Sequence, residues 1–132
     1  PFLGIGKQFR GQLPVFLVIA ATAAGKTEAA LAPLLERYAF HQNELGSEKT
    51  KGLCILYICP TRALVRDLYE RLAHGLELLK VSLSMKSGDT GPVSAANPPV
   101  VLITTPESTD SLLTRAPRLF VTLRAVVLEK RE

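Results

Sequence analysis

The sequence predicts an α/β domain: a mostly parallel sheet, doubly wound, with helices on both faces. Two observations predict this. Apolar runs of strand length alternate with stretches whose leucines recur at helical spacing. The runs are continuous rather than alternating, as expected of strands covered on both faces. A third observation concerns where chemistry gathers. Helix-start signals follow directly on strand ends, and in such sheets ligands collect at the C-terminal ends of the strands.

The 132 residues suit one domain, and 47% hydrophobic with 21% charged residues describes a globular chain rather than a disordered one. Net charge is +4, which permits a polyanionic partner without demonstrating one. No run approaches the length of a membrane span and no signal peptide is visible, so no membrane partner and a cytoplasmic or nucleoid-associated location are expected. Pro1 in place of Met suggests a processed or excised piece.

Residues 1–14 lack periodicity and carry three glycines, so an irregular lead-in is expected, with the domain proper from 15 to 132. Val15 to Ala20 reads as a buried strand. Lys26 to Phe40 reads as the first helix, its apolar face formed by Leu31, Leu34, Leu35 and Tyr38. Pro33 inside it should cost a hydrogen bond or bend it. His41 to Lys51 is polar and reads as an exposed loop. Leu53 to Cys59 is a second buried strand. Its two cysteines are an odd offset apart, which places them on opposite faces and roughly 16–17 Å from each other, too far to bridge. His41 and His74 lack partners at metal-ligand spacing.

A helix from Arg62 into the seventies follows, capped by Thr61 and lined by Leu64, Leu68, Leu72 and Leu76, with Gly75 expected to kink or end it. Val81 to Lys86 reads as a third strand, residues 87–99 as a loop and Val100 to Thr104 as a fourth strand. Thr105 and Pro106 start a short helix to Leu113. Arg115 to Leu123 is a connector with room for one turn, and Arg124 to Leu128 is a fifth strand.

Three strand ends carry candidate chemistry. The first is Ala20 to Thr27, AATAAGKT, where a buried strand runs through small residues into a helix. A helix N-terminus attracts anions through its unpaired N–H groups and partial positive charge. Small residues let backbone wrap a phosphate, a lysine adds a full charge, and a threonine hydroxyl can ligate Mg²⁺. Ala20 stands where the strict phosphate-loop pattern has its first glycine. The second and third are PTRAL at Pro60–Leu64 and TTPES at Thr104–Ser108.

In this order and spacing the three segments resemble motifs I, Ia and Ib of superfamily 2 helicases of the DEAD/DEAH-box type, with variant residues most like the Lhr-type and Ski-type branches. SGDT at Ser87–Thr90 resembles the glycine-containing motif those proteins place between Ia and Ib. The resemblance implies a partial first RecA-like, ATP-binding domain. Lys26 would contact the β- and γ-phosphates of ATP, Thr27 would ligate Mg²⁺, and the amides of Thr22, Ala23, Ala24, Gly25, Lys26 and Thr27 would cradle the phosphates. Pro60, Thr61, Arg62, Gly88, Thr105, Pro106 and Glu107 would lie along a DNA or RNA strand, single-stranded. Each also has an ordinary reading: Thr61 and Thr105 as helix caps, Arg62 as a surface partner of Asp67 or Glu70, and Glu107 as a first-turn acid.

Two departures bear on catalysis. After AVVL the family has Asp-Glu, the Asp holding Mg²⁺ through water and the Glu acting on the attacking water; here the chain reads Glu129-Lys130. Glu129 keeps a carboxylate at the first position, and Lys130 cannot serve as a base at neutral pH. Gln8 and Gln12 do not stand at the distance of the adenine-reading glutamine. The later motifs, the arginine finger among them, belong to the rest of the first domain and to a second RecA-like domain. The expectation is an N-terminal piece of an ATP-dependent helicase, inactive by itself. The alternatives are a degenerate helicase domain that only binds nucleic acid or protein, and a P-loop kinase or other nucleoside-triphosphatase, which leaves PTRAL and TTPES unexplained.

Overall fold

The structure is a computed structural model that describes residues 3–7, 15–21, 31–40, 52–88, 93 and 96–130. Its six strands are β1 (Leu3–Lys7), β2 (Val15–Ala21), β3 (Ile55–Ile58), β4 (Leu83–Lys86), β5 (Val101–Thr104) and β6 (Ala125–Lys130). They form one sheet in the order β1-β2-β6-β3-β5-β4. All neighbours are parallel except β1, which pairs antiparallel with β2 at the edge. The mostly parallel α/β fold is as the sequence predicts.

The helices are α1 (residues 31–40), α2 (Arg62–Leu78) and α3 (Pro106–Arg115), with a short 3₁₀ turn at Pro117–Phe120. Two apolar clusters show that both sheet faces are covered. On one face Leu31 and Leu35 of α1 and Val65, Leu68, Leu72 and Leu76 of α2 pack with Ile55, Tyr57, Ile103 and Val127. On the other, Leu112 of α3 and Leu119 pack with Leu56 and Leu102. The alternation along β3 therefore sends Ile55 and Tyr57 to one layer and Leu56 to the other.

Several expectations are corrected by packing. The lead-in contains β1: Gly4 and Gly6 carry no side chain to make a strand pattern, and the strand exists through its backbone ladder to β2. Pro33 is expected to cost α1 a hydrogen bond or bend it; beyond it the helix widens into a π-helical turn at Leu35–Phe40, one of the recognised accommodations of a disturbed ladder. Gly75 neither kinks nor ends α2, since Leu72 and Leu76 on either side of it are both buried and their packing outweighs about 1 kcal/mol of unfavourable propensity. The helix stops three residues later in a Schellman turn: Lys80 N–H donates to Glu77 O, Val81 N–H to Leu76 O, and Lys80 takes φ 59°. The third helix runs two residues further than expected, to Arg115, and β6 two further, to Lys130.

The two cysteines also sit differently. Both are buried and unbridged, and both border the α2-side cluster rather than opposite faces. Cys54 precedes β3, where the N–H groups of Cys54 and Ile55 both donate to Val100 O. Two donors on one acceptor is the arrangement of a β-bulge, which resets the alternation between Cys54 and Cys59.

Candidate nucleic-acid interface and the neighbouring acidic edge

Parallel strands point their C-terminal ends to one edge, so Ala21, Ile58, Lys86, Thr104 and Lys130 end on the same side of the sheet. The candidate residues among those described lie along this edge in two groups.

The first group lies above β3, β5 and β4. Thr61 caps α2, its Oγ1 accepting from Leu64 N–H at 3.2 Å. Thr105 caps α3 in the same way, accepting from Ser108 N–H at 3.3 Å, and Pro106 occupies the first turn. The Thr109 hydroxyl adds a bond to Thr105 O at 2.8 Å. Because β5 is central and β3 and β4 flank it, the two capped helix starts and the end of β4 face a common groove of about 650 Å³. Pro60, Thr61 and Arg62 line it from β3 and α2, Lys86, Ser87 and Gly88 from β4, and Thr105, Glu107, Ser108, Ser111 and Arg115 from α3. Six of the seven sequence-predicted contact residues are thus brought together; Pro106 is not among the lining residues. Lys86, Ser87, Ser108, Ser111 and Arg115 are additions. A signal for some of them was present, since 105, 108, 111 and 115 fall on one stripe of a helix. The side chain of Asp67 pairs with Arg71 at 3.3 Å.

The groove's chemistry is that of an anion grip. Three cations, Arg62, Lys86 and Arg115, face one carboxylate, Glu107. Among the described residues five hydroxyls, of Thr61, Ser87, Thr105, Ser108 and Ser111, lie between them, and no aromatic side chain lines the groove. Two helix N-termini add partial positive charge. Such a surface suits a phosphodiester backbone, and its described residues offer no stacking platform for bases.

The second group lies where β2 and β6 pair. Their register sets Glu129 beside Ala20 and Lys130 beside Ala21, after which the phosphate-loop segment begins. Thr22, Ala23, Ala24, Gly25, Lys26 and Thr27 lie outside the described residues, as do residues 41–51 and Asp89-Thr90 of SGDT. Glu129 itself is buried, 7% exposed. Leu128 pairs with Ile58, so the next position on each strand brings Cys59 next to Glu129. Burial pushes the Cys59 thiol far above its ordinary range; the hydrogen bond to Glu129 and the negative charge of its carboxylate push the same way, and the charge of Arg71 pulls weakly against them. Cys54 is likewise raised by burial, partly countered by Arg124. The thiol at 59 is therefore a neutral S–H donor to the Glu129 carboxylate. Among the described residues no three His, Cys, Asp or Glu side chains form a metal-binding cluster, and no helix is long and apolar enough to cross a membrane.

A mostly parallel α/β sheet carries a cationic, hydroxyl-lined groove beside a buried carboxylate, features that a helicase-family domain would carry. The comparisons agree. The family model for DEAD/DEAH box helicases matches residues 9–129, and the chain belongs to that family. A Lhr helicase/probable uracil glycosylase of Mycolicibacterium smegmatis is 37% identical over 131 residues, covering 86% of this chain and 8% of that protein. The Lhr helicase/uracil glycosylase of Escherichia coli is 37% identical over 128 residues, covering 83% and 8%. A U5 small nuclear ribonucleoprotein 200 kDa helicase of Drosophila melanogaster is 32% identical over 120 residues, covering 86% and 6%. The chain thus spans less than a tenth of the length of these relatives.

Proposed function

We propose that this chain is part of the first RecA-like domain of an ATP-dependent DNA or RNA helicase, and that the groove holds the backbone of a single strand. One observation carries this reading: three segments far apart in sequence, ending β3, β4 and β5, converge on one cationic, hydroxyl-lined groove whose described lining holds no aromatic side chain. Arg62, Lys86 and Arg115 supply charge to phosphate oxygens, and the hydroxyls supply hydrogen bonds. The strand is held without its sequence being read.

The edge beside Ala20 and Ala21 fits ATP and Mg²⁺ in part. A buried carboxylate at Glu129 is a suitable oxygen donor for a hard cation through water. Lys26 and the amides of Thr22 to Thr27 would hold the phosphates and Thr27 the metal. Bound Mg²⁺ would neutralise phosphate charge during phosphoryl transfer. Within this chain, Cys59 donates to Glu129 and orients it, while Lys130 leaves the general-base position without a carboxylate. The remaining charge stabilisation must come from a second RecA-like domain, so the chain alone binds without turning over. Lys130 equally favours the second reading, a degenerate domain kept as a binding module.

Titration of a labelled oligothymidylate and an oligouridylate, across a salt series, tests the groove. The expected result is binding whose logarithm falls linearly with the logarithm of salt, with R62Q, K86Q and R115Q each lowering the slope by about 0.7 for a single strand. Binding that ignores salt or these substitutions sinks the assignment. ATP with Mg²⁺ should perturb amide resonances around Lys26, and K26A should abolish that perturbation.

A further inference from the structure

Gly88 lies in the groove, yet its own backbone is not in the left-handed region and the residue is exposed, so neither strand geometry nor core packing demands a glycine there. What a side chain there would meet is the guanidinium of Arg62, which would have to shift to make room. A Cβ placed on Gly88 would stand 2.5 Å from Arg62 Nη2, 3.0 Å from Cζ and 3.5 Å from Nε. The approach tightens along the guanidinium from its stem to its tip. Gly75, by contrast, has nothing within 4 Å of the same construction. The two residues come from different elements. Arg62 opens α2 and Gly88 follows the end of β4, which reaches this position only because β4 pairs with β5 beside β3.

We propose that Gly88 is a positioning residue for Arg62: the absent side chain is the seat on which the guanidinium rests, and Gly88 acts on a bound strand through Arg62 rather than by touching it. A long arginine side chain has many rotamers, and its planar fork gains most when it is pre-organised. Resting it against a bare α-carbon holds the charge over the groove without burying it. The proposal rests on the reading of the groove as a backbone site, and it makes the two residues one unit rather than two contacts.

The test is a double-mutant cycle on the chain, read by anisotropy of a labelled oligothymidylate over a salt series. R62Q is expected to lower the salt slope by about 0.7. G88A should lower it by part of that amount, because the added methyl displaces the guanidinium but leaves its charge, and G88A/R62Q should bind no more weakly than R62Q. In an R62K background, which lacks the forked head, G88A should cause no further loss. The Arg62 Nε–H resonance should move in G88A while backbone amides away from residues 62 and 88 stay in place. That measurement separates a displaced side chain from a damaged fold. Additive losses in the double variant, or an unchanged slope in G88A, overturn the proposal. If R62Q itself leaves binding unchanged, the groove assignment falls and this inference falls with it.

Discussion

The two halves of the functional edge solve the same problem in different ways. Above β3, β5 and β4, charge is presented on exposed or half-exposed side chains whose anchors are local. Two threonines cap two helices, and the cations extend from those helices and from the end of β4. Above β2 and β6, the charged group is buried. Glu129 sits at a strand end among neighbours brought from other strands, and its partner is the thiol of Cys59. An exposed cationic surface is suited to a repeating polyanion, since contacts to successive phosphates are equivalent. A buried carboxylate is suited to a ligand held in one geometry, and the cost of burying it makes that side dependent on correct tertiary pairing.

This contrast can be broken most severely with alkali. In the folded chain Cys59 and Cys54 hold their protons above the ordinary thiol value of 9.0, whereas the unfolded chain releases them there. With more protons bound in the native state, stability must fall as pH rises past 9, by up to about 1.4 kcal/mol per pH unit for each thiol. It should be flat across that boundary from below. Denaturant midpoints between pH 7 and 10.5 check this, and C59A should remove part of the slope. A stability that rises above pH 9 would contradict the buried-thiol description of the β2–β6 side.

The next effect in size separates the two caps. Thr105 is buried at 3% exposure and Thr61 is half-buried, so T105A should cost about 1–2 kcal/mol and T61A about 1 or less. Urea unfolding measures both. Equal costs would mean that the two helix starts are equivalent supports for the groove and that burial adds nothing.

The smallest effect lies outside both regions. Lys80 closes α2 with positive φ, a conformation that penalises a side chain by about 1 kcal/mol relative to glycine. K80G should raise the denaturant midpoint by a corresponding amount and leave oligonucleotide binding and its salt slope untouched. A changed slope would place Lys80 within the electrostatic reach of the groove.

Much of this was legible because it is local. The caps at Thr61 and Thr105 depend on residues within three positions, and both form as the sequence pattern predicts. What failed was non-local. The strand β1 is invisible in a Gly-Ile-Gly stretch because its stability comes from the ladder to β2. Gly75 reads as a breaker only if the buried leucines around it are ignored. The face of Cys54 depends on a bulge opposite Val100, a contact 46 residues away (100 minus 54).

The sequence alone determined the α/β class, the parallel strand runs, the helix starts at Thr61 and Thr105 and the family, since periodicity, capping and motif order are written along the chain. The tertiary structure decided which of these meet. Placing β5 between β3 and β4 joins Arg62 to Gly88 and Arg115 in one groove, and pairing β6 with both β2 and β3 brings Glu129 to Ala20 and Cys59. The physical reason is that strand order is set by burying both faces of the whole sheet at once, a condition that no local stretch contains.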